Sequence, residues 1–342
     1  MSEIRIKKIM LAGDIGGTNT RLAAFSNAGG RLVQVAGAVY PSRDYKNLEE
    51  VLAVFLKCFP VKVGAAAFGV AGPVLNGRSG ITNLPWTVDS LSLAAALRLP
   101  AVGLINDLVA NAYGIAALTG KETAVLRRGG TGSAGNRVLL SAGTGLGVAH
   151  LYWDGAAHRP SASEGGHAGF APEGALQAEL LSYLQPQFRH VSWERVLSGP
   201  GLLNIYRFLK AAKRGKEPAW LAAELRKPDP AAVISKRALD GSSALCSRAL
   251  DLFAGIYGSM AGNAALGVWA TGGVYLGGGI APKILSRLKT GSFMKAFLAK
   301  GRLGADLAKM PVKIILSDKT ALLGAALYAS LAASEGKNAA WR

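Results

Sequence analysis

The chain has 342 residues, half of them hydrophobic, with 39 Lys and Arg against 21 Asp and Glu and a formal charge of +18. This length suggests about two domains with separate cores; the hydrophobic content excludes a disordered chain, and two cysteines, Cys58 and Cys246, exclude a disulfide scaffold. Scarce thiols and a polar stretch over residues 1–8 point to a cytoplasmic protein without a secretory leader.

In chain order, apolar periodicity reads as an α/β protein. Ile9–Phe25 is a strand, a glycine turn and a second strand. In Tyr45–Phe59 the residues Leu48, Val51, Leu52, Phe55, Leu56 and Phe59 recur at helical spacing. Short apolar runs at Val63–Val70 and Ala101–Ile105 suit buried strands, and a helix is expected over Leu108–Leu118. Lys121–Asn136, polar and Gly-rich, reads as a connection and a domain boundary, after which strand, glycine turn and strand return at Val138–Trp153. Helices are expected over Gly201–Lys213, Ser243–Leu266, Pro282–Leu288 and Thr320–Ala332. Arg214–Pro230, with Pro218, Pro228 and Pro230, reads as a surface excursion or a broken helix pair. Ala264–Ala281 is uncharged and approaches the length of a membrane span, but its glycines suit a turn between buried elements better. No membrane partner is expected.

The basic residues lie in short groups such as Lys7-Lys8, Arg127-Arg128 and Lys210/Lys213/Arg214/Lys216, without interleaved aromatics. No nucleic-acid partner is expected from such a dispersed face. Its field still favours anionic small molecules such as nucleotides.

The two strand–turn–strand segments, LAGDIGGTNTRLAAF and LLSAGTGLGVAHLYW, share one plan, which suggests an anion clasped by two domains. In Asp14-Ile15-Gly16-Gly17-Thr18-Asn19 the glycines remove the β-carbon, so that backbone N–H groups can close around phosphate oxygens. Thr18 adds a hydroxyl, and Asp14 can hold Mg²⁺ or its water shell; an ordinary hairpin turn is the other reading. Gly143-Thr144-Gly145 has the same mechanics. Gly277-Gly278-Gly279 leads toward Pro282 and suits a nucleotide or close strand–helix packing. There is no G-x-x-x-x-G-K-[ST] motif, and the G-x-G-x-x-G string at Gly130–Gly135 runs into a strand instead of a helix, which is wrong for a dinucleotide site.

Asn106-Asp107 ends an apolar run, where ligands gather at the carboxyl ends of strands. Asp107 there suits a general base or, with Asn106, a helix cap. Glu164-Gly165-Gly166-His167 sets a carboxylate and an imidazole around one small polar ligand, a metal or a plain surface turn. Glu194 adds a carboxylate or a salt-bridged helix end.

GDIGGTNTRLA, GVAGPV with TNLPW, INDLVANAYG, SAGTGLG, SEGGHAGFAP, ERVLSGPGLLNIYR and GGVYLGGGIAPKI stand in one order from about residue 10 to residue 330. This order resembles the bacterial ATP-dependent glucokinases, distinct from the repressor-type sugar kinases. The resemblance implies a two-domain actin-like ATPase fold with ribonuclease H-like cores and an interdomain cleft. It also implies a small α/β domain of residues 1–118 plus 319–342, a large one of residues 119–318, and a homodimer. By resemblance, Gly13, Asp14, Ile15, Gly16, Gly17, Thr18 and Asn19 meet ATP phosphates and Mg²⁺; Gly143, Thr144 and Gly145 meet the phosphates as well, and Gly278 and Gly279 lie by the adenosine. Asn106, Glu164, His167 and Glu194 contact glucose, Asp107 is its general base, and Asn83 of TNLPW borders the sugar. The repressor-type kinases carry a zinc-binding cysteine cluster; two lone cysteines exclude it here, so no zinc is expected. The implied activity is phosphoryl transfer from ATP to the glucose 6-hydroxyl. Another hexose, a polyphosphate donor or a non-catalytic sugar sensor are the alternatives.

Overall fold

The computed structural model describes residues 9–29, 31–130 and 134–334. Residues 1–8, with the Lys7-Lys8 group, and Thr131–Ser133 of the glycine string lie outside them. The chain forms two compact units, one from the residues up to Thr119 together with those from Ser317 onward, the other from Gly120–Leu316.

In the first unit the chain runs β1 (Ile9–Ile15), β2 (Asn19–Ala28), β3 (Arg31–Pro41), α1 (Leu48–Cys58), β4 (Val63–Val70), the small hairpin β5 (Arg78–Gly80) and β6 (Thr87–Asp89), α2 (Ser90–Leu97), β7 (Gly103–Asn106) and α3 (Asp107–Gly114). The five-stranded sheet has the order β3-β2-β1-β4-β7. The first three strands pair antiparallel, and β4 and β7 run parallel to β1.

The second unit runs β8 (Thr123–Arg127), β9 (Arg137–Ala142), β10 (Leu146–Trp153), β11 (His158–Ser163), α4 (Gly174–Leu184), α5 (Gly199–Ala211), α6 (Ala219–Glu224), α7 (Pro230–Leu239) and α8 (Ala244–Val268). It continues with β12 (Gly273–Gly277), the single turn α9 (Leu285–Leu288), α10 (Ser292–Leu298), α11 (Gly304–Leu307) and β13 (Val312–Ile315), after which α12 (Thr320–Ser334) returns to the first unit. Its sheet order is β11-β10-β9-β12-β13-β8. The first five strands repeat the order and directions of the other sheet, so the internal echo belongs to two copies of one topology.

Burial explains the apolar runs. Leu11, Ile15, Phe68 and Val70 pack under Leu48, Val51, Leu52 and Phe55 of α1. Met10, Ala12 and Ala67 face Leu322, Ala325, Ala326 and Ala329 of α12. With both faces covered, β1 and β4 read as continuous apolar segments instead of alternating ones. In the second unit α8 lies against β9 and β12 through residues such as Leu250, Phe253, Tyr257, Val138 and Val274. No helix among the described residues is long and apolar enough to cross a membrane.

Several expected elements need correction. Lys121–Asn136 is more than a connection: β8 lies inside it and pairs antiparallel with β13 at the sheet edge. The helix expected over Pro282–Leu288 shrinks to Leu285–Leu288, because Ile280 N donates to the Ala142 carbonyl (3.1 Å) and holds the preceding turn to the end of β9. The helix at Leu108–Leu118 begins at Asp107 and ends at Gly114, followed by a 3₁₀ turn over Ile115–Ala117. That at Tyr45–Phe59 begins at Leu48, where the Asn47 side chain accepts from Glu50 N.

Candidate active site

Parallel pairing builds the first half of the site. The register sets Ile15 beside Val70 and Val70 beside Asn106, so the carboxyl ends of β1, β4 and β7 reach one edge of the sheet together. The Gly16–Thr18 turn and the Asn106-Asp107 pair meet there, although some 90 residues of sequence separate them.

The turn is braced from below. Ser42, fully buried, donates through its hydroxyl to the Gly16 carbonyl (2.7 Å) and through its N–H to the Thr18 carbonyl (2.9 Å), while its oxygen pairs with Thr20 Oγ1 (3.0 Å). Gly16 N closes the turn on the Asn19 carbonyl (3.0 Å). Gly17 must lack a β-carbon, since one would stand 2.5 Å from the Thr82 carbonyl oxygen. That close approach brings the 81–84 turn, with exposed Asn83 at φ +65, alongside. Gly13 is different: it is a buried residue of β1 whose missing side chain makes room for the Phe68 ring, and Ile15 is a core side chain. Packing alone accounts for both residue types.

Asn106 settles the choice at the end of β7. Its Oδ1 accepts from Leu108 N (2.9 Å) and Val109 N (3.4 Å), so Asn106 is the cap of α3 and Asp107 is the first helical residue. Asn106 Nδ2 donates to Asp107 Oδ1 (2.9 Å), as does Leu108 N (2.8 Å), and these bonds fix the carboxylate's orientation. Burial pushes the Asp14 carboxyl up to about 6; the Arg21 guanidinium opposes this, and the carboxylates of Asp107 and Asp318 add to the rise. Arg21 also donates to the Asp318 backbone carbonyl (2.8 Å), which ties the start of the last helical segment to β2.

The second unit repeats the device. Ser141 pairs beside Gly277, so the Gly143–Gly145 turn after β9 and the Gly278-Gly279 turn after β12 leave the sheet side by side. Gly143 N donates to the Gly145 carbonyl (2.8 Å). The Gly143 carbonyl in turn accepts from Gly199 N (2.8 Å), which sets the amino end of α5 beside the turn. Ser198 caps that helix by accepting from Gly201 N (3.0 Å). A cavity of about 720 Å³ opens there, bordered by Gly143, Thr144, Gly279, Lys283, Asp229 and Ser235. Backbone N–H groups at a helix amino end beside a side-chain-free turn suit an anion.

Glu164 and His167 flank one 3₁₀ turn and stand 3.8 Å apart, both exposed. Glu194 lies on a second such turn, Trp193–Arg195. The two turns are joined where Trp193 N donates to the Ala168 carbonyl (2.9 Å) and His190 Nε2 donates to the His167 carbonyl (2.8 Å). His167, His190, Glu194 and Arg195 border a second cavity of about 390 Å³.

The sequence model of the family described as "Glucokinase" matches residues 11–332. The chain belongs to the glucokinase family. A curated glucokinase from Nostoc sp. is 40% identical over 339 residues, covering 94% of this chain and 99% of the relative. The crystal structure of a glucokinase from an Antarctic psychrotroph superposes with a TM-score of 0.86 at 32% identity, over 95% of this chain and 99% of that one. A glucokinase from Balamuthia mandrillaris, solved with glucose, has a TM-score of 0.76 at 22% identity over 96% of this chain and 95% of that one, a likeness of fold. These neighbours and the paired sheets give the chain the two-domain actin-like ATPase fold.

Of the residues expected in a glucokinase site, the first unit gathers Asp14, Gly16, Gly17, Thr18, Asn19, Asn83, Asn106 and Asp107 at one sheet edge. The second gathers Gly143, Thr144, Gly145, Gly278, Gly279, Glu164, His167 and Glu194. Sequence reading missed Ser42, Arg21 and Asp318 in the first unit, and Asp229, Ser235 and Lys283 in the second. Ser42, Asp318, Asp229 and Ser235 are single polar residues outside any glycine motif, while Arg21 and Lys283 lie inside the strings GDIGGTNTRLA and GGVYLGGGIAPKI without a role read for them. Only Arg21, directly opposite Asp14 in the β1–β2 hairpin, carried a local signal.

Proposed function

We propose that this chain is a glucokinase, transferring the γ-phosphoryl group of ATP to the 6-hydroxyl of glucose. One observation supports this most directly: Asn106 takes the helix cap, so a separate carboxylate, Asp107, stands at the sheet edge beside the Gly16–Thr18 turn. In this reading Asp107 accepts the proton of the 6-hydroxyl as that oxygen attacks the γ-phosphorus in line. Gly16, Gly17, Thr18 and Asn19 bind phosphate from the first unit; Gly143, Thr144, Gly145 and the amino end of α5 supply donors from the second. The 720 Å³ cavity by Gly279 takes the adenosine, where Lys283, Asp229 and Ser235 are the polar groups within reach. Asn106, Glu164, His167 and Glu194 hold glucose hydroxyls, so an epimer would strand one polar group at roughly 1–3 kcal/mol.

Magnesium fits this arrangement. Asp14 would hold it, in a setting where Asp107 and Asp318 already disfavour further negative charge. The described residues contain no cluster of three or more His, Cys, Asp or Glu that could hold a metal ion, so phosphate and water oxygens would complete its shell. Bound there, the ion would offset the charge of the phosphoryl oxygens.

The test is an assay of sugar-phosphate formation over a matrix of sugars and phosphate donors, polyphosphate included because of the +18 charge, with ADP release followed where ATP is the donor. Glucose with ATP should give the highest kcat/KM. Glucose binding without sugar-phosphate formation from any donor would instead mark a sugar sensor, and turnover with polyphosphate alone would reassign the donor.

A further inference from the structure

Both sugar-side turns of the second unit converge on one residue, Leu146, which directly follows the phosphate turn. Leu146 N donates to Glu194 Oε2 at 3.0 Å. The Glu164–His167 turn presses on the same residue from its other side, because a β-carbon at Gly166 would overlap the Leu146 carbonyl oxygen. The neighbouring Gly145 also lies against the carboxylate, since its absent β-carbon would sit 2.6 Å from Glu194 Oε2. Further along, Ser198 Oγ donates to the Glu194 carbonyl (2.7 Å) and Gly199 N to the Gly143 carbonyl (2.8 Å). The segment carrying Glu194 is therefore fastened to the phosphate turn at its side chain and again at the start of α5.

We infer that Glu194 is a positioning residue for the Gly143–Gly145 turn as well as a sugar contact, so that hexose and nucleotide affinities are coupled through its carboxylate. The inference rests on the functional reading above, which gives Glu194 to the hexose and the turn to phosphate. A carboxylate has about four acceptor sites, so holding Leu146 N with Oε2 leaves capacity for a sugar hydroxyl. A hydroxyl donated to Glu194 fixes the carboxylate; the carboxylate fixes Leu146 N and the turn behind it. Coupling of this kind is reciprocal: whatever the sugar adds to nucleotide affinity, the nucleotide adds to sugar affinity.

The test uses calorimetry on the full chain, with the magnesium complex of a non-hydrolysable ATP analogue and with glucose, each titrated alone. Glu194→Ala should weaken analogue binding about tenfold with no sugar present, within the usual range of such couplings. Glu194→Gln should restore it, because the amide oxygen still accepts from Leu146 N. Gly145→Ala, whose new methyl displaces the carboxylate, should weaken glucose binding about tenfold with no nucleotide present. If thermal melting shows Glu194→Ala to be misfolded, the Gln and Gly145 variants carry the comparison. Normal analogue affinity in a folded Glu194→Ala that has lost glucose would overturn the coupling and leave the sugar assignment standing. So would normal glucose affinity in Gly145→Ala. Normal glucose affinity in Glu194→Ala would remove the sugar assignment, and the coupling with it.

Discussion

Asp14→Asn should make the protein more stable and inactive at once. The Asp14 carboxyl is raised from 3.8 to about 6 in the folded chain, chiefly by burial. Each unit corresponds to about 1.4 kcal/mol, so ionising Asp14 in the folded state costs about 3 kcal/mol relative to the unfolded chain. The sign follows from proton binding. The folded state holds the proton to higher pH, so its stability falls as pH rises from about 4 through about 6, then levels off. Asn carries no charge at any pH and escapes this loss. Urea denaturation followed by tryptophan fluorescence, without nucleotide, should find the variant ahead by about 0.5 kcal/mol at about pH 4 and by about 3 kcal/mol at about pH 8. Magnesium with an ATP analogue should stabilise the wild type more than the variant, since a cation beside Asp14 relieves the same strain. A stability difference that does not grow with pH, or a variant less stable at about pH 8, would refute the argument that Asp14 is a carboxylate held at the expense of the fold.

Three further outcomes follow from named contacts. Asp107→Asn should lower kcat by about 10²–10⁴ while glucose binding, read by calorimetry, stays near the wild-type value; retained turnover would remove the base assignment. Arg21→Gln takes away the cation that draws Asp14 down, so the acid limb of the kcat/KM profile should move to higher pH, and an unmoved limb would separate Asp14 from that limb. Ser42→Ala removes hydroxyl bonds to the Gly16 carbonyl and Thr20 from beneath the phosphate turn, at about 1–3 kcal/mol. Affinity for the ATP analogue should fall accordingly, with glucose affinity unchanged; equal losses of both would mean general unfolding of the unit.

What could be read in the amino acids was whatever is encoded locally. The β1–β2 and β9–β10 hairpins stood out because buried strands on either side of a glycine turn leave an unbroken apolar pattern. Helix α1 showed its period because one face lies on the sheet and the other in solvent. Strand β3 gave no clear pattern: it is an edge strand whose apolar stretch is broken by Gln34 and Gly37, and with Val33, Val35 and Val39 exposed, residue type there does not follow burial. Strand β8 was hidden for a related reason, being five residues, none of them buried, in a polar stretch that become a strand only by pairing with β13, almost 190 residues later.

The sequence by itself determined the two glycine turns, the carboxylate at the end of an apolar run, and the ordered strings that place the chain among glucokinases, since each is a short-range arrangement of side chains. Only the tertiary structure decided that Asn106 rather than Asp107 caps the helix, that Ser42 braces the first phosphate turn, and that Glu194 reaches Leu146 behind the second. Those assignments depend on strand register and on hydrogen bonds closed across tens of residues, and cooperative packing, not the residues adjoining each position, selects them.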